Sequence, residues 1–360
     1  MTRRAYVLAV TLAVLMGGLS VVAAAVLDLP LRDPDGTVGP SWVRLPLIAL
    51  ACFLVDVLPR SVHRAGGVRG MSAHFKAVVR ERWTRDRMEL IVVGLGSFYL
   101  TYVGYRNLKS FLPWIRDHTY DWALADLDRV LALGYEPATV LQAILGTGVA
   151  AHVLSLFYVG YLAFVPVSLA AWLVWSRNIA GGLWYSSALC VNWALGLASY
   201  YLIPSRGPAF VEPSLFWDLP DTPVRSLQAA LWASRHEVIT DPNATQAVQS
   251  IAGFASLHVS VVFSAALITH LTVRNQWIRW GMWTYLPVTV VATLYFGWHY
   301  IADDIAGLAI GLVAVVIGAW VTGHELKPKY RGRIFGTGDL EDLPPPEIAA
   351  DRELESTKAG

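Results

Sequence analysis

Charge is what this 360-residue chain has least of: Asp, Glu, Lys and Arg make up 15% of it, against about 25% in an ordinary globular chain. That supply is too thin for a water-facing surface when 55% of the residues are hydrophobic, so a soluble domain is excluded. Cysteine is scarce too. Cys52 and Cys190 both lie inside apolar runs, which predicts buried free thiols and excludes a disulfide framework. The net charge of +1 gives no reason to expect a nucleic-acid partner, and no internal repeat is evident. What is abundant is aromatic: 15 Trp and 15 Tyr, the rings that settle at membrane–water interfaces.

A helix needs about 20 mostly apolar residues to cross the hydrocarbon of a bilayer. Eight stretches qualify or nearly so: 5–27, 41–58, 89–105, 151–175, 179–203, 254–273, 277–298 and 300–322. The fold class expected is therefore all-α, a polytopic membrane helix bundle of about eight transmembrane helices. The last two stretches nearly touch, which calls for a tight turn near Trp298. A ninth apolar patch, 138–150, is short and Gly-rich and reads as interfacial or re-entrant. The first stretch, with Arg3, Arg4 and the small residues Ala23–Ala25, also resembles a signal peptide. Its apolar run exceeds the usual 7–15 residues of such a leader, which favours a retained helix.

Orientation follows from Lys and Arg in the connections. With the N-terminus inside, cytoplasmic segments hold Arg60, Arg64, Arg69, Lys76, Arg80, Arg82, Arg85 and Arg87, then Arg177, Arg274 and Arg279, then Lys327, Lys329, Arg331 and Arg333. The outer loops are longer in total and hold fewer cations. The expectation is a cell-membrane protein with both termini cytoplasmic. Its parts would be 1–88, two helices and a basic loop; 89–325, a catalytic core with outer loops 106–150 and 204–253; and 326–360, a disordered acidic tail rich in proline. Within the first outer loop, 120–133 has apolar residues at helical spacing with acids on the other side, the pattern of a helix lying along the membrane surface.

Three polar segments fall where helices meet the outer surface: Pro204-Ser-Arg-Gly-Pro208, Ala255-Ser-Leu-His-Val-Ser260 and His299-Tyr-Ile-Ala-Asp-Asp-Ile-Ala-Gly307. His299 and Asp303 are four apart and share one helix face. Asp303 can fix the imidazole tautomer, leaving the other nitrogen free to attack phosphorus, while Asp304 points elsewhere. His258, on another helix, can protonate a leaving alkoxide. Ser256 and the amides of a helix N-terminus can hold phosphate oxygens, and Arg206 offers a fork of donors to the same group. The chemistry this suggests is covalent catalysis through a phosphohistidine, with no metal or cofactor required.

These residues resemble the type 2 phosphatidic acid phosphatase superfamily of membrane lipid phosphatases and phosphotransferases. The resemblance rests on Ser256-Leu-His258, His299-Tyr-Ile-Ala-Asp303 and the Arg-Gly-Pro ahead of both. It implies a six-helix core over about 89–322, a nucleophile at His299, an orienting aspartate at Asp303 and a leaving-group acid at His258. The departures matter. Ser199 stands where the superfamily has a lysine, Gly207 separates Arg206 from Pro208, and Ala292 and Thr293 replace a Ser-Arg pair. The Ser-Leu-His and His-Tyr-x-x-Asp forms, with the stretch 120–137, look more like the inositol phosphorylceramide synthase branch and its bacterial members, which move a phospho-headgroup between lipids. Arg106 or Lys109 is a candidate for the missing cation, on charge and side alone.

Blander readings compete. His299 and Asp303 can be a satisfied polar pair, Arg206 an anchor for bulk lipid, Ser256 only a helix cap, and Arg106 and Lys109 snorkelling side chains. Two enzyme readings share the site. A phosphatase of the phosphatidic acid or polyprenyl diphosphate type passes the phosphoryl group to water. A phosphotransferase presents a polyol or lipid hydroxyl instead, and the loss of cations leans towards it. A transporter would spread polar residues through the depth of its helices, whereas here they gather at one face. A haem or metal protein would use His258 and His299 as ligands, which an absorption spectrum tests. Oligomeric state is not legible.

Overall fold

The computed structural model describes residues 4–36 and 39–327, and every regular element among them is helical. α1 (Arg4–Leu27) and α2 (Ser41–Ala65) are followed by a short basic helix, α3 (Met71–Arg82), and by the longest helix, α4 (Arg85–Ile115). α5 (Asp121–Leu131) and α6 (Pro137–Leu145) precede α7 (Val149–Ala170), which runs on through a wider turn to Trp175. α8 (Ile179–Leu202), the one-turn α9 (Pro208–Val211) and α10 (Pro223–Thr240) lead to α11 (Leu257–Thr272), α12 (Gln276–Tyr295) and α13 (Ile301–Thr322).

A helix forms over each of the eight apolar stretches, as the polytopic bundle requires. Five are long and apolar enough to cross a membrane by themselves: Tyr6–Leu27, Ser41–Ala65, Arg85–Ile115, Val149–Trp175 and Ile301–Thr322. α11 is apolar but only 16 residues long. α8 sits in the middle, with Trp184, Tyr185, Leu189 and Cys190 all buried, packed between α1, α4, α11 and α13. The outward faces of α1 and α2 expose Val14, Leu19, Val22, Leu47, Ile48 and Leu50. Rows of exposed apolar side chains on closed helices are stable in hydrocarbon, where the backbone is satisfied internally.

The starts of several helices are set by short polar side chains that accept from free backbone N–H groups. Asn178 accepts from Gly181 at 2.9 Å, Asn275 from Trp277 at 2.9 Å, and Ser256 from Val259 at 3.4 Å. α13 begins differently: Asp303 reaches back to the Tyr300 N–H at 3.0 Å. It also packs unusually close to α11. A Cβ on Gly307 would lie 2.4 Å from the Ser256 carbonyl oxygen, and one on Gly311 2.7 Å from that of Ser260. Only glycine permits that approach, the small-residue contact typical of membrane helix pairs.

Two parts of the sequence reading change. Two of the three acids of α5 are not on its outer side: Asp121 and Asp128 are buried against the protein, while Asp126 is exposed together with Trp122, Leu127 and Val130. The reason is hydrogen bonding to distant main chain, which periodicity does not register. The outer loop 204–253, for which no helix was expected, contains the 18-residue α10. The expected tail lies outside the described residues from 328 onward, as do Lys329, Arg331 and Arg333 and, at the other end, Arg3.

Candidate functional site

The three polar segments singled out in the sequence meet at one end of the bundle and are stitched through their main chains. Gly253 N–H donates to the Ser205 carbonyl at 2.8 Å, Ser256 N–H to the Asp303 carbonyl at 2.9 Å, and Ala209 N–H to the Gly297 carbonyl at 2.8 Å. Gly207 holds a φ of +95°, and a Cβ there would lie 2.4 Å from the Trp298 carbonyl oxygen. A side chain at 207 would be strained and would also push Arg206 away from the His299 segment.

His299 sits in the turn between α12 and α13, 6% exposed. Its Nδ1 is 3.3 Å from Asp303 Oδ2, the oxygen that also accepts the Tyr300 N–H. Burial pushes the imidazole down to about 4, with Asp304 pulling it up, Lys109 pushing it further down and a hydrogen bond to Gly253 pulling it up. Burial outweighs the neighbouring carboxylate, so His299 is neutral at ordinary pH and its contact with Asp303 is a hydrogen bond rather than an ion pair. With the proton on Nδ1 facing Asp303, Nε2 keeps its lone pair.

His258, on the first turn of α11, has its ring centroid 5.9 Å from that of His299. Two tyrosines of α7 hold it: Tyr158 stacks at 4.5 Å and Tyr161 lies at 4.2 Å. Trp298 in turn stacks on Tyr158 at 5.1 Å. Asp304 acts on His299 through its charge alone; it accepts a hydrogen bond from the Thr293 hydroxyl at 2.9 Å.

Among the candidate phosphate-binding cations, Lys109 is the one whose charge acts on both histidines. It is 8% exposed, and its Nζ lies 4.5 Å from the Tyr200 ring centroid and 5.8 Å from that of Tyr105. No carboxylate pairs with it among the described residues. Arg106, three residues earlier on α4, donates to Ser250 Oγ at 2.8 Å and Tyr102 Oη at 3.3 Å. Arg206 is about one-third exposed, its Nε 3.6 Å from Asp121 Oδ2. Ser256 is fully buried; its hydroxyl caps α11 and lies beside Asp304. Ser199 accepts the Ala255 N–H at 2.8 Å, so at the position of the family lysine this chain carries a main-chain tie.

Sequence reasoning missed Asp121, Asp128 and Arg235 as parts of this end. Asp121 Oδ1 accepts from the N–H groups of Arg206 and Gly207 at 2.8 and 3.0 Å and from the Tyr300 hydroxyl at 3.2 Å. Asp128 Oδ1 accepts the Ile301 N–H at 2.9 Å; burial pushes its carboxyl up to about 7, with the Ile301 hydrogen bond opposing and Asp303 adding. Arg235 of α10 is within electrostatic reach of Arg206 and Asp121. The seven-residue spacing of Asp121 and Asp128 was the available signal, since it puts both on one face.

Comparison with known proteins agrees with the residues. The family model described as the PAP2 superfamily matches residues 122–317, which include α5 after its first residue and both histidines. The lipid A 4'-phosphatase of Porphyromonas gingivalis is 36% identical over 61 residues, 17% of this chain and 26% of that protein. The aligned part is thus about a quarter of that relative's length. No solved structure matches the chain.

Proposed function

The chain belongs to the PAP2 superfamily, and from that premise we propose that it is an integral membrane enzyme that cleaves a phosphate ester of a lipid through a phosphohistidine on His299. One observation carries the reading: a neutral imidazole, oriented through Nδ1 by Asp303 at 3.3 Å, stands beside a second imidazole 5.9 Å away. Nothing in a purely structural polar pair calls for the second ring or for an unpaired buried lysine next to both.

In this scheme His299 Nε2 attacks phosphorus and the P–O ester bond breaks. The leaving alkoxide takes a proton from His258, and a phosphoramidate remains on His299. Water then attacks that phosphorus, His258 takes the proton back, and the N–P bond breaks to return neutral His299 and release phosphate. Lys109 and Arg206 balance charge on the phosphoryl oxygens, with Arg106 behind them and Ser256 holding the amino end of α11. Lys109 reaches the site from α4, whereas a lysine at the family position would reach it from α8.

The site opens on the extracytoplasmic face in this reading. The far end of the bundle carries Arg60, Arg64, Lys76, Arg80, Arg82, Arg85, Arg87 and Arg177, and such clusters stay cytoplasmic. The named relative acts on a lipid A phosphate, which supports a phosphomonoester on a lipid as substrate. A second reading, transfer to a polyol or lipid hydroxyl in the manner of inositol phosphorylceramide synthases, is favoured by Ser199, Ala292 and Thr293 at the positions where the superfamily's phosphatases carry Lys, Ser and Arg. Incubating the detergent-purified protein with lipid phosphomonoesters, phosphodiesters and polyprenyl diphosphates, with products read by mass, decides between them. Free phosphate is expected. Label appearing only on an added acceptor selects the transferase reading, and no turnover on any substrate sinks both.

A further inference from the structure

α5 turns two of its three acids inward, the reverse of what a helix covering a protein from water requires, and leaves only Asp126 outside. Asp121 and Asp128, two turns apart on one face, are 1% and 2% exposed and turned inward with Leu124 and Ala125. Trp122, Leu127, Val130 and Leu131 point outward. Carboxylates are costly to bury unless hydrogen-bonded, and here each is spent on the main chain of a catalytic segment. Asp121 Oδ1 takes the Arg206 and Gly207 N–H groups and the Tyr300 hydroxyl, while Oδ2 faces Arg206 Nε at 3.6 Å. Asp128 Oδ1 takes the N–H of Ile301, midway between His299 and Asp303, at 2.9 Å. The start of the helix is tied in as well, through Tyr120 N–H to the Pro204 carbonyl at 2.7 Å.

We propose that α5 is a clamp on the phosphoryl-transfer site, in which Asp121 and Asp128 are positioning residues that set the Arg206 segment against the His299–Asp303 segment. Neither touches substrate. Asp128 sets where His299 and Asp303 sit by holding the first residue of α13, and Asp121 sets the direction of the Arg206 guanidinium. The proposal rests on His299 as nucleophile. The two aspartates have separable requirements. Asp128 serves one N–H with one oxygen, so an asparagine can replace it. Asp121 uses its second oxygen on a guanidinium, where an asparagine N–H₂ would set donor against donor.

The test compares Asp128→Ala, Asp128→Asn and Asp121→Asn in the full-length detergent-purified protein, by steady-state kinetics on the best substrate of the panel and by amide hydrogen exchange. Asp128→Ala is expected to lower kcat about 100-fold, the scale of a displacement of about 1 Å, with KM within about twofold and faster exchange over 299–304. Asp128→Asn is expected to restore both readouts to within about threefold of the unsubstituted enzyme. Asp121→Asn is expected to raise KM about tenfold with kcat nearly kept, as loss of one charge-assisted contact would. Asp128→Glu, which displaces the acceptor by one methylene, serves where the alanine variant does not survive purification. Equal damage from Asp128→Ala and Asp128→Asn, or unchanged exchange over 299–304 in a folded Asp128→Ala protein, overturns the clamp. Exchange is read without turnover, so an unsubstituted protein that turns over nothing sinks the function and leaves the exchange comparison to decide the clamp.

Discussion

At the amino end of α4, buried Asp56 is met by Arg60 at 2.7 Å, Arg82 at 2.8 Å and the Trp83 indole N–H at 3.1 Å. Arg87 donates to the carbonyls of Val174 and Ser176, and Arg82 to that of Trp175. Roughly 33 Å along the same helix, at 1.5 Å per residue, Lys109 lies against two tyrosine rings with no carboxylate to meet it. Of the nine buried side-chain atoms without a hydrogen-bond partner among the described residues, six lie at this second end: Arg106 Nε, Trp298 Nε1, Asp303 Oδ1, Asp304 Oδ1, and Asp121 Oδ2 and Arg206 Nε, which face each other as an ion pair at 3.6 Å. The first end closes its charges on each other and ties α2 and α3 to the end of α7. The second keeps charge in reserve. Satisfied charge fixes a fold; charge held back in a protected place can act on something that arrives.

Substitution at the two ends should therefore fail in different ways. His299→Ala should lower turnover by at least about 10⁴-fold, the scale on which a removed nucleophile acts, with a thermal midpoint close to that of the unsubstituted protein. Turnover that survives would break the contrast at its strongest point. Asp303→Asn should cost about 10³-fold in kcat by releasing the tautomer. Asp56→Ala should do the opposite, leaving the buried Arg82 guanidinium without its carboxylate. A loss of about 3–5 kcal/mol is expected in denaturant titration, with kcat of the folded fraction unchanged. Lys109→Gln should raise KM about tenfold, and a pure loss of stability there would reassign Lys109 to the scaffold. Asp304→Asn should change kcat by less than about threefold, since its partner is Thr293. Equal losses at Asp303 and Asp304 would count against Asp303 as the group that orients His299.

The smallest effect concerns pH. An ordinary imidazole gains its proton near 6.5; His299 is held down to about 4. Between pH 7 and 5 kcat/KM should then change by less than about twofold on account of this group, where an unperturbed histidine would cost about 25-fold. For stability the sign is the same. The unfolded chain takes up the proton at about 6.5 and the native one only near 4, so the contribution of a neutral buried His299 is complete above pH 6.5 and is lost as pH falls towards 4. A rate profile with an acid limb near 6.5 would show that solvent reaches the ring in the working enzyme.

Most of the bundle is legible in the sequence because lipid demands long apolar runs, and α1, α2, α4, α7 and α13 supply them outright. The histidine pair is legible too, since His299 and Asp303 are local neighbours and the turn before α13 is short. What stays hidden is settled across the chain. The inward turn of Asp121 and Asp128 is decided by N–H groups at 206, 207 and 301, far away in sequence. α10 is hidden by its mixed polarity, which suits a helix with only Val224, Gln228 and Val238 buried. Ser256 read equally well as phosphate ligand and as cap, and the structure turns its hydroxyl inward. Of the two candidate cations on α4, charge and side could not choose; what separates them is that Arg106 donates to Ser250 and Tyr102 while the charge of Lys109 acts on both histidines.

The glycine notch between α13 and α11 bears on how such a site can diversify. Because carbonyl oxygens of Ser256 and Ser260 rest where side chains of residues 307 and 311 would be, the interval between the two imidazoles is set by backbone touching backbone. Side chains around them that do not pack on the rings can then be exchanged without altering that interval. Selectivity for one lipid over another becomes an adjustable attachment on a fixed gauge, and a single methyl group at residue 307 is enough to spoil the gauge.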